Sequence, residues 1–143
     1  MQKVSNQYVV PMGNTPEDIK RRQEIIRDFY HNWKLKNPEQ KVYNRNIRSD
    51  IFVRNISIDE TARHASKRYL STLAVLQLTS VLAISVKERY EKVESRSNQK
   101  AFKAMLIMSC ILPAIGKVKL TVGVKHKTLL KVQYCITAVE LGE

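Results

Sequence analysis

Few residues in this sequence are suited to redox, metal or cofactor chemistry. Its 143 residues include only two cysteines, three histidines, four glycines and four prolines. Cys110 and Cys135 both sit in apolar runs, with no CxxC pair and no histidine at metal-ligand spacing, and they read as buried thiols in a reducing compartment. There is no glycine-rich phosphate loop, no HExxH, no GxSxG and no metal-spaced acidic cluster, so neither a cofactor nor a metal is expected. The N-terminus lacks the apolar core of a signal peptide, and no stretch reaches membrane-spanning length without a charge or a proline. The expectation is a cytoplasmic protein with no membrane partner. The Asn55-Ile56-Ser57 sequon is then a chance match.

Negative charge is the scarcest feature. Thirteen Asp and Glu stand against 25 Lys and Arg, a formal net charge of +12 and a pI near 9.9. A domain pI above about 9 is the electrostatic footprint of a polyanion binder, because cations that neutralise phosphates release condensed counterions. Nucleic acid is therefore the expected partner. The charge alone also admits an acidic protein, and a basic protein that is merely soluble would share this composition. At 43% hydrophobic and 27% charged residues, the chain reads as globular and as one domain.

Residues 1–14 show no clear period and read as a flexible arm that orders only if it docks. Residues 15–143 read as a single α+β domain. Thr15 suits an N-cap, Pro16 the first helical turn, and Glu17 and Asp18 the positive end of the helix dipole. Ile19, Arg22, Ile26, Phe29 and Trp33 follow at helical spacing, widened by Ile25 and Tyr30, until Asn37-Pro38 ends the helix. Lys20, Arg21, Arg27 and Lys34 occupy the opposite, solvated face.

The segments Lys41-Val42-Tyr43 and Asp50-Ile51-Phe52-Val53 suit a short hairpin or one strand with a lead-in. Ser57-Ile58-Asp59-Glu60 has the form of a capping box, predicting a helix with Ile58, Ala62, Ala65 and Tyr69 buried. Ser71-Thr72 suits a cap for a further segment continuing through Leu73, Leu76, Gln77, Ser80, Val81 and Ile84, as two helices or one kinked helix. The charged stretch Lys87–Lys100 reads as a fraying helix end and a loop. Ala101–Leu112 fits helix or strand by pattern, and the turn residues Pro113 and Gly116 favour strand. Alternation over Val118–Val124, and again at Val132, Tyr134, Ile136 and Ala138, predicts an antiparallel hairpin. The fold class is α+β, with N-terminal helices packed on a C-terminal antiparallel β-meander of three to four strands.

Two groups of residues could act on a polyanion. In Arg63-His64-Ala65-Ser66-Lys67-Arg68, helical spacing places Lys67 and Arg68 on the imidazole's face. Metal-free RNA cleavage needs a base for the 2′-hydroxyl, an acid for the leaving oxygen and cations for the phosphate. His64 among fixed cations could supply part of that, or it could be a solvated residue beside a basic face. The second group lies on the meander. Lys117, Lys119, Thr121 and Lys125 share one side of a strand, and Lys131, Gln133 and Thr137 repeat the pattern, either as a phosphate track or as a soluble face.

The run Ile58-Asp59-Glu60-Thr61-Ala62-Arg63-His64-Ala65, then Ser71-Thr72-Leu73-Ala74-Val75-Leu76, then three strands ending in Val132-Gln133-Tyr134-Cys135-Ile136-Thr137-Ala138, resembles nuclease domains of the barnase–EndoU–colicin–RelE fold. The closest likeness is to those attached to large polyvalent proteins of phages and conjugative elements. The resemblance covers roughly residues 50–140. It implies a metal-independent endoribonuclease of a mobile element, or a relic of one, directed at RNA in preference to DNA. In that reading His64 and Thr137 are catalytic, and Arg63, Lys67, Arg68, Lys117, Lys119 and Lys131 contact phosphate. A non-enzymatic accessory protein that binds DNA or RNA, or a protein that binds a host factor, are the alternatives.

Overall fold

The computed structural model describes residues 8–92, 102–125 and 134–141. The first helix, α1 (Pro16–Lys36), starts where its cap predicts. The Thr15 hydroxyl oxygen accepts the Asp18 amide at 3.1 Å, Pro16 opens the first turn, and Asn37 closes the helix by donating its backbone N–H to the Trp33 and Lys34 carbonyls. A hairpin of β1 (Lys41–Asn44) and β2 (Ser49–Phe52) follows, then α2 (Asn55–Ala65), α3 (Tyr69–Val75) and α4 (Leu78–Ile84). Four strands complete the described chain: β3 (Val86–Lys92), β4 (Phe102–Leu112), β5 (Gly116–Lys125) and β6 (Tyr134–Leu141). The fold is α+β, as the order of periodicities predicts.

Strands β3 to β6 form an antiparallel meander, and the β1–β2 hairpin joins it through a parallel pairing of β2 with β6, giving the order β1-β2-β6-β5-β4-β3. Alternation decides the two faces. Leu106, Met108 and Leu112 on β4 and Val118, Leu120 and Val122 on β5 are buried in one cluster with Ile58, Ala62 and Ala65 of α2 and Val75, Val81 and Leu82 of the following helices. Ile25, Ile26, Phe29 and Trp33 of α1 extend that cluster. A buried Leu or Ile contributes about 1.5–3 kcal/mol, against about 0–1 for an exposed ion pair. This layer, not the surface charge, sets the stability. Two of the polar groups that enter it are matched: the Trp33 indole donates to the Thr79 hydroxyl at 2.9 Å, and the Tyr30 hydroxyl donates to Gln40 at 2.7 Å, whereas the buried Thr61 and Ser66 hydroxyls have no hydrogen-bond partner among the described residues. Burial pushes the Tyr30 phenol up to about 12, so it keeps the proton it donates.

Three sequence expectations need correction. The stretch from Lys87 does not fray from a helix, because Val86–Lys92 is the edge strand β3; the remainder, residues 93–100, lies outside the described residues. All seven β3 residues are exposed, so the burial period that betrays a strand is missing, and its charges are the usual protection of a sheet edge. The capping-box helix begins at Asn55, before Ser57, because β2 leads directly into it and the Ile58 amide already closes on the Arg54 carbonyl at 3.1 Å. Ser71 and Thr72 lie inside α3, which begins at Tyr69. Of the apolar line expected there, Leu76 and Val81 are buried, whereas Gln77, Ser80 and Ile84 are exposed. Two separate helices do form, one of the alternatives that the pattern allowed.

The sheet is strongly curled. On a flat sheet β1 and β3 would lie roughly 24 Å apart, five spacings of about 4.8 Å. Here the two edges meet at one corner. The Asn44 side-chain amide donates to the Leu82 and Ser85 carbonyls at 2.7 and 2.9 Å and accepts the Ile47 amide at 3.0 Å, and the Asn46 side-chain oxygen accepts the Lys87 amide at 2.8 Å. Asn44 is fully buried. Asn44→Ala leaves these groups unpaired, and we expect it to lower the unfolding free energy by about 2–3 kcal/mol in urea titration. A loss below about 0.5 kcal/mol would show that the corner does not hold the curl.

Candidate nucleic-acid interface

The α2–α3 junction explains how a helix end becomes a display of cations. Helix α2 stops at Ala65, and its last carbonyls find partners in tight turns: the Lys67 amide closes on His64 and the Arg68 amide on Ala65. The Ser71 hydroxyl donates to the Ala65 carbonyl at 2.6 Å, and that of Thr72 lies 3.1 Å from the same oxygen and 2.9 Å from the Arg68 carbonyl. Ser71 and Thr72 therefore finish the preceding helix rather than open the next. Arg63 and His64 lie in the last turn of α2, and Lys67 and Arg68 in the turn that follows it instead of continuing the helical face of His64; all four are exposed. Among the described residues, none of these side chains has an ion-pair or hydrogen-bond partner.

Beneath this turn lies a charge that the sequence places on the apolar face of α1. Arg22 is fully buried. Its Nε donates to the Ser66 carbonyl at 2.7 Å, Nη1 to the Pro11 and Gly13 carbonyls at 2.8 and 2.5 Å, and Nη2 to the Asn14 side-chain oxygen at 3.1 Å. Neutral oxygens satisfy the planar fork, and no carboxylate pairs with it directly. Residues 8–14 of the expected flexible arm are thereby docked along α1, where the Tyr8 hydroxyl also donates to Asp28 at 2.9 Å.

The docked arm and α3 border a half-open cavity of about 210 Å³, lined by Tyr8, Val10, Tyr69, Leu73 and Gln77. Tyr69 and Leu73 stand four residues apart on one side of α3, Gln77 follows in the link to α4, and Tyr8 and Val10 alternate along the extended arm. Sequence reading missed this cavity. Tyr69 counted as part of a buried stripe, and nothing local to Tyr8 shows what it meets.

The lysine-bearing face of the meander is a separate surface. Lys117 and Lys119 alternate with buried Val118 and Leu120, so they lie on the side of the sheet away from α2, and His64 and Lys119 share no cleft. Nor is this face free cationic surface. Glu88, the extra residue of a bulge between Lys87 and Arg89, pairs with Lys117 at 2.9 Å and accepts from the Ser109 hydroxyl at 2.5 Å. Lys41 pairs with Asp50 at 3.2 Å, and Arg89 with Glu91 at 2.6 Å. Thr137 occupies a bulge position, since Thr121 pairs with Ala138 and Val122 with Ile136. Lys131 lies outside the described residues.

Among the described residues no group of three or more His, Cys, Asp or Glu could hold a metal ion, and no helix is long and apolar enough to cross a membrane. Comparison with protein-family models, with curated proteins and with solved structures gives no match.

Two measurements test this construction. Arg22→Met keeps most of the volume but strands the Ser66, Pro11 and Gly13 carbonyls, so we expect roughly 3 kcal/mol lower stability and faster proteolysis at Tyr8. Unchanged cleavage of the arm would remove the pinning role. The Ser109 hydroxyl and the Lys117 ammonium hold the Glu88 carboxyl below its ordinary value. Its contribution is therefore full above the ordinary carboxylate range and is lost as pH falls through the lowered value. Glu88→Gln should flatten the acid limb of the stability profile, and an unaltered limb would mean that the pair contributes nothing.

Proposed function

We propose that this chain binds nucleic acid, RNA in preference to DNA, through the turn carrying Arg63, His64, Lys67 and Arg68. The observation behind this reading is the unequal pairing of the charges. Lys117 and Lys41 on the sheet are set against Glu88 and Asp50, while Arg63, His64, Lys67 and Arg68 stand together exposed and unpaired among the described residues. A phosphate approaching Lys117 or Lys41 must compete with a carboxylate already in place, and one approaching the turn meets cations that no carboxylate engages. Arg22 strengthens the preference. Its charge, hydrogen-bonded only to neutral oxygens, sits in the interior directly behind the turn, where it is screened less than a surface charge.

His64 serves in this reading as a further phosphate or base contact. A general base also needs a group that orients its ring and a second residue to protonate the leaving oxygen. Exposed on a turn, His64 has neither among the described residues.

The test is binding of labelled RNA at graded salt in EDTA. We expect intact RNA, a steep salt dependence, and a slope shallower by about two in the triple variant Arg63→Ala, Lys67→Ala, Arg68→Ala. Binding that ignores salt, or a triple variant that binds as well as the parent, would refute the reading. Cleavage in EDTA that His64→Ala abolishes would replace it with the metal-independent nuclease.

A further inference from the structure

The cavity between the docked arm and α3 borders the basic turn: Arg68 immediately precedes Tyr69, the first residue of the cavity wall. We infer that this cavity receives one unpaired base of a single-stranded nucleic acid whose phosphates lie on the turn at Lys67 and Arg68, so that single strands are preferred over duplex. The inference rests on the binding reading above and adds to it the form of the ligand.

Three observations support it. The wall combines two aromatic rings, Tyr8 and Tyr69, with the apolar side chains of Val10 and Leu73. An aromatic ring is the surface on which proteins stack unpaired bases, whatever their sequence. Gln77, exposed in the link between α3 and α4, offers a carboxamide with both a donor and an acceptor, as the edge of a base requires. Consecutive Cα atoms are about 3.8 Å apart, so Arg68 and Tyr69 lie within the span between the phosphate and the base of one nucleotide. A stacked, paired base has no free face to offer and cannot enter.

The arrangement is also braced. The Tyr8 hydroxyl is held by Asp28, and the arm behind it by Arg22, so one wall is fixed to α1 and the other to α3. A base would enter a preformed site and order little chain on binding, which favours affinity.

The experiment compares a uridine decamer, the same decamer made of abasic units, and a duplex of equal length, all at one salt concentration. We expect the decamer to bind at least about ten times more tightly than either comparator. Tyr69→Leu, which fills space without an aromatic face, should remove most of that advantage, and Tyr69→Trp should keep it. Gln77→Ala, at an exposed position, should weaken the decamer alone. Equal affinity for decamer, abasic strand and duplex, all lost in the triple variant of the basic turn, would overturn the base pocket and leave the binding reading intact. Absence of salt-dependent binding to any of the three would overturn both.

Discussion

The arrangement of the N-terminal half depends on one buried cation. Arg22 brings together three parts of the chain that are remote in sequence: its own helix, the arm at Pro11 and Gly13, and the end of α2 at Ser66. Burying a guanidinium is costly unless its donors are met. Here backbone carbonyls and one amide oxygen meet them, and the geometry explains why the residue is arginine. A lysine ammonium is a point charge with three donors, whereas these acceptors approach a planar fork from several directions. A carboxylate partner would have given similar hydrogen bonding but cancelled the charge. Its absence leaves a positive centre under a turn that already carries four basic side chains.

The curl of the sheet determines what that turn can work with. Because Asn44 and Asn46 draw the β1 edge to the start of β3, the inner face wraps the helices and the lysines of β5 are left on the outer one. The two surfaces then follow different electrostatic rules. On the outer face Lys117 pairs with Glu88, and Lys41 with Glu39 and Asp50. Such pairs add little stability at the surface. They do offset the local field of Lys117 and Lys41, whereas the four basic side chains at the α2–α3 junction have no such partner among the described residues.

How much of this could be read from sequence follows the range of the interactions. The start and end of α1 are written in Thr15, Pro16 and Asn37, residues that act within one helical turn, and they stand where expected. The strand at Phe102–Leu112 and the alternation of β5 are equally local. Strand β3 was missed because an edge exposed on every residue carries no burial period. Arg22 looked like one more position on an apolar stripe, since its partners are set by tertiary docking. The bulge at Thr137 shifts β6 by one residue, so Ala138 falls opposite Thr121 rather than continuing the register of Ile136. The cavity left no local trace, because its walls lie more than fifty residues apart.

His64 stands exposed in the last turn of α2, with no side-chain partner among the described residues. A base in phosphoryl transfer is useful only when its ring is oriented and its target held in line, which requires a second residue and a cleft. A phosphate contact requires only positive potential and exposure, and a base contact only an accessible face. Arg63, His64, Lys67 and Arg68 meet the second set of requirements on a turn whose backbone is fixed by Ser71, Thr72 and Arg22. Rigidity there reduces the ordering cost of binding, as preorganised sites do. The basic sequence around His64 thus makes physical sense without catalysis: the hydroxyls and the buried guanidinium hold the turn, and the turn holds the charge.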